Sequence, residues 1–143
     1  MSAGWPRCCR QPSEPDAQRF LALPDVLAVG VPAYAAIIIG TSGNDTLNGT
    51  ARHDQIRGGK GNDTIRAFAG TDDVNAGPGR DTVYGGEGED LLRGHKGNDT
   101  IYAGDDTQSD EIRCGSGYDV AYVTKADHSH NNITACEDVN TLK

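Results

Sequence analysis

Residues 58–66 read GGKGNDTIR. Three glycines, one aspartate and one isoleucine share nine residues. The aspartate, Asp63, returns nine residues later as Asp72 in FAGTDDV and again as Asp81 in PGRDTV. Extended in both directions, the series is Asp45, Asp54, Asp63, Asp72, Asp81, Asp90 and Asp99, with every step nine. Asp110 follows after eleven, and Asp119 restores the step of nine. Two residues beyond each aspartate stands an apolar residue: Leu47, Ile56, Ile65, Val74, Val83, Leu92, Ile101, Ile112 and Ala121. Ile38 fills the same slot one repeat upstream. Gly43, Gly61, Gly70, Gly79, Gly88, Gly97 and Gly117 lie two residues before their aspartates. An outer set comprises Gly58, Gly59, Gly77, Gly85, Gly86, Gly94 and Gly115.

A helix does not fit this spacing. Each glycine would cost up to about 1 kcal/mol inside one, and no apolar stripe forms at intervals of three and four. A simple alternating sheet fails too, because the period is nine. The pattern fits a three-residue strand followed by a six-residue turn. In TIR, TVY and TIY the middle residue faces inward and its neighbours outward. β-Branched and leucine side chains suit the inner slot, and turn glycines permit positive φ and close backbone approach. Two units make one coil, so the chain is expected to be all-β, a parallel β-roll or β-helix with about 18 residues and two short strands per coil. Stacking at about 4.8 Å per strand gives roughly 24 Å from Ile38 to Ala121. One inward side chain per repeat contributes about 1.5–3 kcal/mol, less than the entropy lost in ordering nine residues. Something further must hold the turns.

Composition narrows the classes. The 143 residues suit one domain. Aromatics are only 6% and hydrophobic residues 36%, values that would suggest disorder were it not for the fixed period. A net charge of −8 disfavours nucleic acid and anionic lipid as partners and favours cations. Residues 1–36 differ from the rest. A polar start with Arg7, Arg10 and Arg19 precedes the apolar run FLALPDVLAVGVPAYAA, which ends in an A-x-A pattern. This outlines a secretory signal, although Asp25, Glu14 and Asp16 depart from it. A disordered leader or a short capping segment is the alternative. The run is too short and broken to span a membrane. Cleavage after Ala35 or Ala36 would remove Cys8 and Cys9 and leave Cys114 and Cys136, either free or bridged to each other. No CxxC spacing supports a zinc knuckle.

One aspartate per turn produces two columns. Asp45, Asp63, Asp81, Asp99 and Asp119 form the first; Asp54, Asp72, Asp90 and Asp110 form the second. Like charges stacked one coil apart repel when dehydrated, and an ion between coils reverses that cost. Carboxylate and carbonyl oxygens are hard ligands. Calcium accepts six to eight of them in flexible geometry, whereas magnesium demands a stricter octahedron. Zinc would want histidine or thiolate, which the repeat does not supply.

GGKGNDTIR and its copies resemble the glycine-rich nonapeptide of the repeat-in-toxin (RTX) family, whose stacked repeats form a calcium-binding β-roll. The resemblance covers residues 37–122. It implies that each calcium sits between a turn and the turn one coil later, held by Asp side chains and Gly-x-Gly carbonyls. On this sequence the implied ligand aspartates are Asp45, Asp63, Asp81, Asp99 and Asp119 in one column and Asp72 and Asp90 in the other. The implied turn positions are Gly58, Gly59, Gly61, Gly77, Gly79, Gly85, Gly86, Gly88, Gly94 and Gly97. Asp72 follows Gly70 but has Ala67 and Phe68 in place of the double glycine. Asp54 and Asp110 are expected to be weak sites, because Arg52 and Gln108 replace the preceding glycine. The expected load is about four calcium ions, within a range of about three to seven.

Residues 123–143 lose the period and are expected to cap the open end of the roll, with Ile133 and Val139 as apolar contacts. Short secreted bacterial calcium-binding proteins, which this chain resembles, imply a Cys114–Cys136 disulfide tying down that cap. His128, His130 and Cys136 supply too few ligands for zinc. No serine elbow, HExxH or phosphate loop occurs, so no catalysis is expected. The leading reading is an extracellular, calcium-stabilised scaffold. The rival is a surface or matrix protein that presents Tyr84, Tyr102 and Tyr122 to a protein or polysaccharide. Ice binding by the Thr46, Thr64, Thr82 and Thr100 ladder is disfavoured by the arginine and tyrosines beside it.

Overall fold

The computed structural model describes residues 19–20, 36–104, 106–129 and 132–142. The leader assigned to residues 1–36 lies outside the described residues except for Arg19, Phe20 and Ala36. The strands are β1 (Arg19–Phe20), β2 (Ile37–Ile39), β3 (Thr46–Asn48), β4 (Gln55–Arg57), β5 (Thr64–Ala69), β6 (Asp73–Pro78), β7 (Thr82–Glu87), β8 (Leu91–Lys96), β9 (Thr100–Tyr102), β10 (Glu111–Ser116), β11 (Val120–Val123), β12 (Ile133–Thr134) and β13 (Asp138–Thr141). One short helix, α1 (Lys125–Ser129), follows β11.

Alternate strands go to opposite sheets, as a chain winding around a narrow core requires. One sheet has seven strands in the order β1-β2-β4-β6-β8-β10-β12, and the other six in the order β13-β11-β9-β7-β5-β3. Every pairing is parallel except β1 on β2. Equivalent residues of the repeat face each other in register: Ile38, Ile56, Val74, Leu92 and Ile112 in one sheet, and Leu47, Ile65, Val83, Ile101 and Ala121 in the other. The two extra residues before Asp110 are absorbed between β9 and β10, so the strands beyond keep their register. The architecture is the parallel β-roll that the period of nine demands.

The strands are longer than three residues in the middle of the stack. β5 to β8 and β10 each extend to six. Pairing resumes beyond the first three residues, with Phe68 opposite Gly86 and Gly77 opposite His95. A second inward slot therefore exists four residues after each aspartate, filled by Ala67, Ala76, Ala103, Cys114 and Val123 or by glycine, and those side chains are buried. Small residues fill it because the turn's own carboxylate lies beside it. The core is a double file of apolar residues, one large and one small, per repeat.

At the start of the stack β1 pairs antiparallel with β2, and β3 is the edge of the other sheet. At the other end β12 and β13 add a further coil on β10 and β11. Ile133, Cys136 and Val139 pack against the core. A Cys114–Cys136 disulfide joins this coil to β10.

Candidate metal centre

The nine repeat aspartates are all buried. Each column is a hydrogen-bonded ladder. The main-chain N–H of one aspartate donates to Oδ1 of the aspartate one coil later: Asp45 to Asp63 (2.9 Å), Asp63 to Asp81 (2.7 Å), Asp81 to Asp99 (2.8 Å) and Asp99 to Asp119 (2.8 Å). The second column runs Asp54 to Asp72 (2.6 Å), Asp72 to Asp90 (2.8 Å) and Asp90 to Asp110 (2.9 Å). Oδ1 of each accepting carboxylate thus secures a turn through an orphan N–H.

The other oxygen distinguishes the middle of the stack from its ends. Oδ2 of Asp63, Asp72, Asp81, Asp90, Asp99 and Asp119 is buried and has no hydrogen-bond partner among the described residues. An unpaired carboxylate oxygen in such a place is costly. At the start of each column Oδ2 is instead satisfied by a threonine. The Thr41 N–H (2.5 Å) and hydroxyl (3.0 Å) donate to Asp45, and those of Thr50 (2.6 and 3.0 Å) donate to Asp54. The second column closes the same way beyond the repeats. Asp127 Oδ1 accepts the Asp110 N–H, and its Oδ2 accepts the Thr124 N–H and hydroxyl.

Each turn brings a second oxygen type to this interior. The position of a Cβ at Gly94 would lie 2.5 Å from both Asp99 Oδ2 and the Cys114 carbonyl of the next coil. At Gly58 the same point falls between Asp63 Oδ2 and the Ala76 carbonyl, and at Gly85 between Asp90 Oδ2 and the Ala103 carbonyl. The glycines two residues before the aspartates serve the stacking itself. At Gly97, with φ +126°, a Cβ would overlap the carbonyl oxygen of Gly79, one coil earlier. Gly79 and Gly88 press on Gly61 and Gly70 in the same way. Gly59, Gly77 and Gly86 carry the positive φ four residues before the aspartate, a conformation that Phe68 and His95 also adopt in their own repeats.

Burial raises the carboxyl pKa values, and neighbouring carboxylates add to the effect. Asp72 and Asp81 are pushed up to about 7, Asp90 and Asp99 to about 6, and Asp110 to about 8. Asp63 and Asp119 are also raised, with desolvation again the largest cause. Hydrogen bonds from main-chain N–H groups pull the other way without cancelling it. Asp106, in the bulged turn, accepts the Gly88 N–H (2.6 Å) and adds charge beside Asp90 and Asp110.

The donor set is all oxygen: buried carboxylates and main-chain carbonyls on successive coils. No group of three or more His, Cys, Asp or Glu side chains converges as a metal cluster among the described residues, so carbonyls must complete any cation site. Hard cations accept such a set and thiophilic or imidazole-seeking metals do not. Asp72 and Asp90 border a groove shared with His53, Thr71, Glu89 and Asn132. Cys136 is engaged in the disulfide, and the side chains of His128 and His130 lie outside the described residues.

Sequence reasoning missed two carboxylates that continue the columns, Asp127 and Glu137. The Asp119 N–H donates to Glu137 Oε2 (2.8 Å) at a separation of 18 residues. The coil period therefore continued into the tail, with a glutamate where the eye sought an aspartate. The capping threonines gave no repeating signal.

Fold and turns define a class: a parallel β-roll whose stacked turns each present a buried carboxylate. The model of the RTX calcium-binding nonapeptide repeat (4 copies) matches residues 34–51, 39–73, 48–83 and 75–107, together more than half of the chain, which belongs to this family. No curated protein and no solved structure matches the chain. The family's repeat is a structural calcium-binding unit rather than a catalytic one, in accord with the reading of the chain as no enzyme.

Proposed function

We propose that this chain is a secreted scaffold whose roll binds calcium between successive coils and is stabilised by it. The observation that carries this reading is the row of buried, partnerless Asp Oδ2 atoms beside main-chain carbonyls. Residues 37–122 are the binding unit and 123–143 its cap. The ligand aspartates are Asp63, Asp81, Asp99 and Asp119 in the first column and Asp72 and Asp90 in the second. Turn carbonyls from the segments containing Gly58, Gly59, Gly61, Gly77, Gly79, Gly85, Gly86, Gly88, Gly94 and Gly97 complete the shells. Asp45 joins Asp54 as a weak position, because Thr41 and Thr50 already donate to the oxygen an ion would need. Asp110 closes the site of Asp90 rather than starting one of its own. Bound calcium supplies a compensating charge for carboxylates that burial makes costly to ionise.

An extracellular location agrees with this chemistry. Calcium is abundant outside cells, disulfides persist there, and folding coupled to binding keeps the chain loose before export. In the rival reading the tyrosines meet a partner. Tyr84, Tyr102 and Tyr122 stack on one another with centroids 4.8 and 4.7 Å apart and planes within 6°, and Arg66 covers the Tyr84 ring at 5.3 Å. The ring faces are spent on each other, which favours a role in coil stacking. Among the described residues no helix is long and apolar enough to cross a membrane.

Calcium titration followed by native mass spectrometry tests the proposal. Wild type should take up several calcium ions and gain strand signal by circular dichroism, and Asp81→Asn should bind at least one fewer. A chain that binds no calcium at millimolar concentration, or an Asp81→Asn variant with unchanged stoichiometry and affinity, refutes it.

A further inference from the structure

Asp119 has the same buried, partnerless Oδ2 as the interior aspartates, yet no nonapeptide repeat follows it. The segment Ala135–Val139 takes the place of one. Asp138 pairs with Val120 and Val139 with Ala121, so Glu137 occupies the register of the ladder aspartate and Val139 that of the inward apolar residue. Ala135, two residues before Glu137, adopts φ 54°, left-handed like the glycines two before the aspartates. Its carbonyl accepts the Gly115 N–H, the bond that Gly59 makes with the Ala76 carbonyl five residues before Asp81. ACEDV thus keeps the carboxylate and apolar positions of the repeat on a shorter turn, with the inward Ile133 and Val139 six residues apart.

The two columns end differently. In the second, Thr124 satisfies Asp127 and the ladder stops. In the first, Glu137 is exposed and Asp119 Oδ2 remains without a partner. We propose that Asp119 and Glu137 form a terminal site for a hard divalent cation, built half from the roll and half from the tail. The Cys114–Cys136 disulfide adjoins both halves, since Cys114 precedes Asp119 in its own turn and Cys136 precedes Glu137. The disulfide fixes the carboxylate of the tail over the roll, so the site belongs to the oxidised protein. Linkage is reciprocal: whatever reduction subtracts from cation affinity, the cation adds to the resistance of the disulfide. The inference rests on the calcium reading of the roll and adds a residue and a covalent control to it.

The experiment uses the full oxidised chain with calcium chloride as the probe. Native mass spectrometry should show Glu137→Gln with its disulfide intact and one calcium fewer than wild type. The rate of Cys114–Cys136 reduction by dithiothreitol should fall several-fold on adding calcium to wild type, and much less for Glu137→Gln. Equal stoichiometry in both proteins, or equal protection of both disulfides, overturns the terminal site while leaving the roll sites standing. A wild type that binds no calcium at all overturns the reading beneath it instead. Glu137 is exposed and at the edge of the last coil, and the wild-type reduction rates alone decide the matter should the variant fold poorly: no protection by calcium refutes the site.

Discussion

Freed of calcium, the roll should be more stable in acid than at neutral pH. Asp72 and Asp81 belong to different columns, and burial moves each from 3.8 to about 7. A carboxyl whose folded pKa exceeds its unfolded value stabilises the fold below the unfolded pKa and loses that contribution as pH rises through the folded one. At pH 8 the loss is about 4 kcal/mol for each of the two, from about 1.4 kcal/mol per pKa unit. Together they remove about 8 kcal/mol, within the range of about 5–15 kcal/mol that a whole domain commands. Asp90, Asp99 and Asp110 act in the same direction. The perturbation is therefore chelation followed by a pH series from 4 to 8, read as far-UV circular dichroism and urea midpoints at low protein concentration. Strand signal and midpoint should decline as pH rises from about 4, most steeply between about pH 4 and 6, where the unfolded carboxyls ionise and the folded ones do not, and should level off near pH 8. In excess calcium the profile should invert, because binding requires the ionised form and releases protons. A chelated protein that is as stable at pH 8 as at pH 4 would refute the argument that buried carboxylate charge is the main opponent of the fold.

Other perturbations reach different parts of the same device. Gly97→Ala places a Cβ against the Gly79 carbonyl at positive φ and should cost at least about 3 kcal/mol, seen as a lowered thermal midpoint in saturating calcium. Thr50→Val removes a hydroxyl donor to Asp54 but retains the main-chain N–H. It should cost about 1 kcal/mol in urea denaturation and leave the calcium count unchanged. Cys136→Ser opens a bridge with a sequence separation of 22, for which chain entropy gives about 3 kcal/mol in the same assay.

Much of the architecture was legible because a repeat converts three-dimensional proximity into arithmetic. Asp63 and Asp81 are neighbours in space because they are two periods apart in sequence, and the same count pairs Ile65 with Val83. What the period could not show was the difference between copies. Asp45 and Asp63 read alike, yet Thr41 satisfies Oδ2 of one and no described residue satisfies Oδ2 of the other, because hydroxyl capping is a local contact that carries no periodic signature. The second inward slot was missed for a related reason. Alanine, glycine, cysteine and valine share it, a mixture defined by the space beside a carboxylate rather than by hydropathy. Glu137 was hidden by chemistry instead of geometry: one extra methylene and an alanine in the glycine position disguised a register that the coil length alone predicts. The repeat thus specifies where each coil must lie, while the non-repeating residues decide which carboxylates remain in want of a cation. The proposed terminal site lies at one such irregular position, and Glu137→Gln there should change calcium binding without disturbing the roll.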